Sequence, residues 1–129
     1  MIALMSEWTP TDLNAIDAAE ELRIASRRDD GSLRRFVIIW MVVVDGSLYV
    51  RSAHGTENQW FRRAVTSGAG RITAGGVEAE VTWTHAVEAP HEAIDAAYQA
   101  KYGGRHPQEY IDPVIGATAA SATLRVEPA

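Results

Sequence analysis

The feature that most constrains this chain is the run Leu33 to Gly55. It is rich in valine and isoleucine and is apolar on both faces from Phe36 to Val44. A strand with one wet face alternates, whereas this run predicts a strand covered on both sides, by a barrel interior and by a helix or second subunit. Asp45-Gly46 is a two-residue hairpin signal, and Leu48 to Ala53 reads as the return strand. A tight turn without a bulge sets Val43 opposite Leu48, Met41 opposite Val50, Ile39 opposite Ser52 and Val37 opposite His54. The other face then pairs Val42 with Tyr49 and Trp40 with Arg51. Arg35, Ser52 and His54 fall on one side and Trp40 and Arg51 on the other, where they suggest a cation–π pair.

The rest of the chain supplies partners for this ribbon. Thr9-Pro10 opens a first helix, with Thr9 as cap and Asp12 at the dipole-favoured end. Leu22 to Arg27 alternates as a strand or a helix-to-strand crossover, and Asp29 to Ser32 is a turn by composition. A second helix is expected from about Glu57 to Thr66, with Trp60, Phe61, Ala64 and Val65 as its buried stripe and Gly68 as its stop. Arg71 to Ala74 reads as a short strand, Gly75-Gly76 as a hairpin turn, and Val77 to Val87 as a strand with one wet face. Pro90 starts a third helix that ends at Gly103-Gly104. Tyr110 to Gly116 reads as loop or a short helical turn, and Ala119 to Val126 as the closing strand. About six strands and three helices, mostly joined by hairpins, predict one α+β domain over residues 1–129, an antiparallel sheet closed into a barrel.

Composition narrows the function classes. The chain has 129 residues, too few for a second core of ordinary size. Its formal net charge of −5 argues against bulk nucleic acid or acidic membrane as partner. Cysteine is absent, which removes disulfides, a thiol nucleophile and cysteine-ligated metal, and accords with a cytoplasmic setting. The start MIALMSEWTP lacks the length and basic residues of a signal peptide. The apolar run Phe36 to Val44 is far short of the ~20 residues a membrane helix needs. His54, His85, His91 and His106 are scattered without i, i+3 or i+4 pairing, so no metal site is expected.

The best place for chemistry is the loop Arg51-Ser52-Ala53-His54-Gly55-Thr56 ahead of the second helix. A helix start offers unpaired N–H groups and a positive dipole end, Gly55 permits close backbone approach, and Arg35 and Arg63 bring charge to a phosphate. Against this, Thr56 reads equally well as a plain helix cap, and Glu57 in the first helical turn would repel an anion.

The segments DGSLYVRSAHG, QWFRRAVTSGAGRITAGGVEAEVTW, AIDAAYQAKYGGRHP and ATLRVEP, in that order, resemble a bacterial family catalogued as a domain of unknown function. That family is in turn similar to a distant branch of the flavin-binding split-barrel superfamily, with the deazaflavin-dependent nitroreductase-like proteins nearest by pattern. The resemblance implies a split β-barrel and a homodimer with cofactor sites at its interface. It also implies FMN or a deazaflavin as cofactor and, if the chain is an enzyme, flavin- or deazaflavin-dependent oxidoreductase chemistry. By position it implicates Arg35, Ile38, Ile39, Trp40, Arg51, Ser52, His54, Gly55, Trp60 and Arg63 in cofactor binding. Catalytic residues are unassigned, with Tyr49 and His54 as the candidates for a proton donor. The sequence departs from that pattern in Asp29-Asp30, in SGAGR after the second helix, and in Glu57. These support an alternative, a cofactor-free split barrel serving as a binding or interaction module.

Overall fold

A computed structural model describes residues 7–129; the segment MIALMSEWTP, on which the signal-peptide expectation rests, lies largely outside them. The chain order is helix α1 (Pro10–Ala18), strands β1 (Leu22–Ser26), β2 (Val37–Ile39), β3 (Met41–Val44) and β4 (Ser47–Arg51), and helix α2 (Gln59–Ser67). Strands β5 (Ala69–Ala74) and β6 (Val77–His85), helix α3 (His91–Tyr102), short helices α4 (Gln108–Ile111) and α5 (Gly116–Ala120) around a 3₁₀ turn at Asp112–Val114, and strand β7 (Thr123–Pro128) complete it. The strands form one antiparallel sheet in the order β2-β1-β5-β6-β7-β4-β3.

The two ends of that order, β2 and β3, are halves of the same apolar run, separated by Trp40 alone. The run bends there, one half pairing with β1 and the other with β4, so the sheet returns on itself as a nearly closed barrel. This is the expected α+β antiparallel class, with seven strands rather than six because the run is broken.

The bend corrects part of the expected register. Met41 opposite Val50, Val42 opposite Tyr49 and Val43 opposite Leu48 are as read from the turn. Ile39 instead faces Leu22 and Val37 faces Ile24, so neither reaches Ser52 or His54. Trp40 is paired with no residue of β4.

The backbone freed at the bend is satisfied from α3. The Tyr98 hydroxyl donates to the Trp40 carbonyl (3.2 Å) and Lys101 Nζ to the Met41 carbonyl (3.2 Å). The Tyr102 hydroxyl accepts the Met41 N–H (3.1 Å) and lies within donating distance of the Glu20 carbonyl (3.0 Å). Tyr98 and Tyr102 are completely buried, and burial pushes both phenols above the usual tyrosine range. Trp40 stacks flat on Tyr102, with ring centroids 4.0 Å apart.

Two clusters of buried side chains result. One fills the barrel interior with Leu22, Met41, Leu48, Ile72, Leu124 and others. The second lies outside it, where Val42, Val44 and Tyr49 meet Ile94, Tyr98, Tyr102, Ile111 and Val114. The apolar run is thus covered on both sides over β3, by the barrel and by α3. Over its first half the cover fails: Phe36 is 36% and Ile38 51% exposed.

Several boundaries differ from expectation for local reasons. Residues 22–26 settle as strand through pairing with β5. α2 starts at Gln59, not Glu57, and its buried residues are Phe61 and Ala64, with Val65 exposed. α5 occupies what was expected to be the start of the last strand, which begins at Thr123. Replacing Tyr102 by Phe leaves the buried Met41 N–H without its acceptor. Urea unfolding of Tyr102→Phe should show a loss of about 1–3 kcal/mol.

Candidate functional site

Three arginine doublets, Arg27-Arg28, Arg34-Arg35 and Arg62-Arg63, lie far apart in sequence and meet at one end of the barrel. A cavity of about 310 Å³ is lined by Arg28, Arg34, Arg35 and Arg63 with Gln59 and Ser26, and by the apolar side chains of Ile24, Val37, Trp60 and Ala64. The first doublet is placed by the end of β1, the second by the approach to β2, and the third by one face of α2. The Arg34 N–H donates to the Ser26 carbonyl (2.9 Å), which fixes the second doublet beside the first.

Not all of these guanidinium groups are free. Arg27 is ion-paired with Glu80 and donates to the Gly31 carbonyl (2.6 Å). Arg28 donates to the Leu33 carbonyl (2.9 Å) and the Ser32 hydroxyl (3.3 Å). Among the described residues, Arg34, Arg35, Arg62 and Arg63 have no carboxylate partner. The Nε of Arg34 is buried with no hydrogen-bond partner at all, and an unmade bond at a buried charged donor is costly.

The start of α2 faces the same cavity through Gln59. Its N-cap, Asn58, makes no capping bond: its amide turns away to donate to Ser52 Oγ (2.9 Å) and the Ala53 carbonyl (2.7 Å). The first turn contains no acidic residue. Glu57 lies outside the helix, exposed, and does not line the cavity, so the repulsion expected from it is not at this site. Thr56 is likewise not the cap.

Trp60 and Val37 form a wall shared with a second cavity of about 260 Å³, lined by Ile38, Ile39, Trp40, Arg51, Ala53, Asn58, Tyr110 and Val114. This slot is mostly apolar, bordered by two tryptophans, and adjoins the basic cavity across Val37 and Trp60. The exposed edge Ile38 and the exposed Tyr110 stand at its mouth.

Of the residues expected from sequence, Arg35, Trp60 and Arg63 meet in the basic cavity, and Ile38, Ile39, Trp40, Trp60 and Arg51 border the slot. The Ser52–Gly55 loop is placed otherwise. Ser52 is fully buried, its N–H bonded to the Ala122 carbonyl (3.0 Å). The His54 N–H reaches the Pro113 carbonyl (3.3 Å), and its imidazole is exposed and lines neither cavity. Gly55, at φ +94°, lies so close to Thr118 that a Cβ would sit 2.9 Å from its methyl carbon. The close approach that Gly55 permits is therefore to α5. Tyr49 is buried in the outer cluster, away from the groove.

Arg51 is buried with all its donors engaged. Nε donates to Thr123 Oγ1 (3.0 Å), Nη1 to Asp95 and to the Val114 carbonyl (2.9 Å), and Nη2 lies 3.2 Å from His91 Nδ1 and 3.5 Å from the His91 carbonyl. The expected stack on Trp40 is absent; the guanidinium carbon lies 5.9 Å from the Tyr98 ring centroid instead. β4 sends Arg51 to the first turns of α3, at His91 and Asp95, whereas Trp40 sits at the bend and turns to Tyr102 at the end of that helix.

Sequence reasoning missed Arg28, Arg34 and Gln59. The three doublets were the available signal: in a chain with a net charge of −5, six of its arginines occur as adjacent pairs. Among the described residues no three His, Cys, Asp or Glu side chains gather as a metal site would require. Among the described residues no helix is long and apolar enough to cross a membrane.

The profile of one protein family matches residues 12–126. The chain belongs to DUF2255, uncharacterized proteins conserved in bacteria. No curated protein matches it significantly. Among solved structures, this DUF2255 chain is similar to a conserved hypothetical protein from Mycobacterium tuberculosis (TM-score 0.59, 11% identity, covering 100% of this chain and 85% of the other). It is also similar to an F420 reductase (TM-score 0.55, 12% identity, 89% and 90% covered) and to the haem storage protein HutZ from Vibrio cholerae (TM-score 0.59, 15% identity, 95% and 91% covered). These likenesses establish the fold: the DUF2255 barrel is of the split-barrel type expected from the resemblance.

Two outcomes follow from the ionic contacts. Replacing Arg51 by Met leaves Asp95, a third exposed, without its buried partner; chemical denaturation should show a loss of about 3 kcal/mol. Hydrogen bonds from Arg27 and then Arg71 hold the Glu80 carboxyl below the usual range. A carboxyl depressed on folding stabilises above its unfolded pKa, about 4.3, and loses that contribution as pH falls. The melting temperature of Glu80→Gln should therefore lie below wild type at neutral pH and converge on it toward pH ~3.

Proposed function

We propose that this DUF2255 protein binds a flavin or deazaflavin cofactor in the groove along α2 and acts through it as an oxidoreductase. The observation that carries this reading is the buried, unpartnered Nε of Arg34 beside Arg35 and Arg63, at the uncapped start of α2. A donor set of that kind suits a phosphate. The adjoining slot suits a flat ring, with Val37, Ile39 and the two tryptophans as apolar walls. The fold likeness to an F420 reductase supports the same assignment.

In this reading Arg34, Arg35 and Arg63 hold the phosphate, and Trp60 separates it from the ring. Trp40, backed by Tyr102, fixes one wall of the slot, while Tyr110 at the mouth narrows access for water. The bound cofactor supplies the hydride or electron chemistry. Haem is the poorer fit, because none of the four histidines lines the groove. The uncovered Phe36 and Ile38 beside the slot support a homodimer that closes it, and the cysteine-free composition supports a cytoplasmic setting.

Titration of the purified protein with FMN and with a deazaflavin should quench the fluorescence of at least one of them. Arg35→Gln and Arg63→Gln should each weaken that binding by about tenfold, or about 1.4 kcal/mol. Absence of binding by either at high micromolar concentration overturns the reading in favour of a cofactor-free interaction module.

A further inference from the structure

Beyond the basic cavity lies another, of about 370 Å³, lined by Arg27, Asp29, Arg34, Gln59, Arg62, Arg63, Thr66 and Ser67. The two share Arg34, Gln59 and Arg63, so they are inner and outer compartments of one groove. Arg28 and Arg35 line only the inner one, and Arg27 and Arg62 only the outer one. With the slot, α2 therefore borders three compartments in sequence, one apolar and two basic.

Charge distinguishes the outer compartment from ordinary surface. Arg27 is committed to Glu80, whereas Arg34, Arg62 and Arg63 have no carboxylate partner among the described residues. Asp29 is the sole acid lining either compartment. A phosphate monoester carries about two negative charges. Six arginines line the two compartments; set against Asp29 and the Glu80 partner of Arg27 they carry about four positive charges, so one such group on Arg34, Arg35 and Arg63 leaves the groove with about two, Arg62 contributing one of them. The hydroxyls of Thr66 and Ser67 already donate to the Arg62 and Ala69 carbonyls (3.1 and 3.0 Å). The donors left for a ligand there are the guanidinium groups and the Gln59 amide, a set suited to an anion.

We propose that the outer compartment is a second anion subsite, and that the ligand of this groove carries a further anionic group beyond its first phosphate. This rests on the reading of the groove as a cofactor site, and it narrows the cofactor to one with an extended polyanionic tail rather than a single terminal phosphate. The inner arginines set affinity for any phosphorylated ligand, and Arg62 discriminates by tail.

The test uses inorganic phosphate and inorganic triphosphate as probes, titrated calorimetrically into the full chain at physiological ionic strength. Triphosphate should bind wild type at least about tenfold more tightly than phosphate. Arg62→Gln, an exposed position, should remove most of that advantage while changing phosphate and FMN affinity by less than about twofold. Arg35→Gln should weaken both probes. Arg125→Gln, the same charge change on β7, should alter neither. Equal affinity for the two probes, or an equal loss of both in Arg62→Gln, overturns the second subsite. Loss of the triphosphate advantage in Arg125→Gln overturns it too, by showing bulk charge attraction. If neither flavin nor deazaflavin binds but the Arg62-dependent preference persists, the cofactor assignment fails and the two-anion groove stands.

Discussion

The bend at Trp40 is the constraint on which the rest of the structure depends. A single apolar run supplies both ends of the sheet order, so the barrel closes only if that run can leave β1 and join β4 within one residue. Such a break exposes backbone polar groups in a buried region, where each unmade hydrogen bond costs about 1–3 kcal/mol. Tyr98, Lys101 and Tyr102 meet that demand from successive turns of α3. The helix is therefore part of the closure mechanism as well as a cover for β3. Because Trp40 is immobilised on Tyr102, the bend also gives the adjoining slot a rigid wall. Barrel closure and slot geometry are set by the same residues.

Arg51 performs a corresponding task at the same end of the hairpin, one residue beyond the Met41–Val50 pair. Its donors tie β4 to α3 through His91 and Asp95, to the 3₁₀ turn through Val114, and to β7 through Thr123. Asp95 in turn accepts the Gly116 N–H (3.2 Å), which anchors the start of α5. The segment 108–120 has little strand or helix pattern of its own. It is ordered by what it packs against, and the Ser52–Gly55 loop packs against it through the Pro113 carbonyl and Thr118. That accounts for a serine-glycine loop ahead of a helix that serves as a staple while the exposed basic groups gather elsewhere.

Local physics explains what was legible in the sequence. Asp45-Gly46 fixes a tight turn, and from it the pairing of Val42 with Tyr49 and Val43 with Leu48 follows directly. Thr9, Pro10 and Gly68 mark helix ends by their own conformational preferences, and Val77 to His85 shows its wet face by alternation. What depended on distant partners was not legible. Nothing near Ile39 announces that it will face Leu22 rather than Ser52. Residues 116–120, GATAA, have no cap or amphipathic stripe that announces a helix. The site divides in the same way: Arg35, Trp60 and Arg63 lie on elements with clear local signals, whereas Arg28 and Arg34 enter the groove only because β1 and the approach to β2 are antiparallel neighbours.

The two kinds of arginine in this protein have opposite consequences. Arg51 is more deeply buried than any arginine of the groove, yet every N–H it carries has an acceptor, so its desolvation is offset and it acts as a structural pin. Arg34 is only partly buried, but its Nε is shielded from water with no acceptor supplied by the chain. A fold that satisfies a fully buried guanidinium so completely has the means to satisfy a half-buried one, and a carboxylate at Gln59 would have stood at the edge of the same cavity. The chain places an amide there and leaves the first turn of α2 without acid. With a net charge of −5, carboxylates are abundant elsewhere on this molecule. Their scarcity around these arginines leaves the groove electrostatically incomplete, and an anionic ligand completes it.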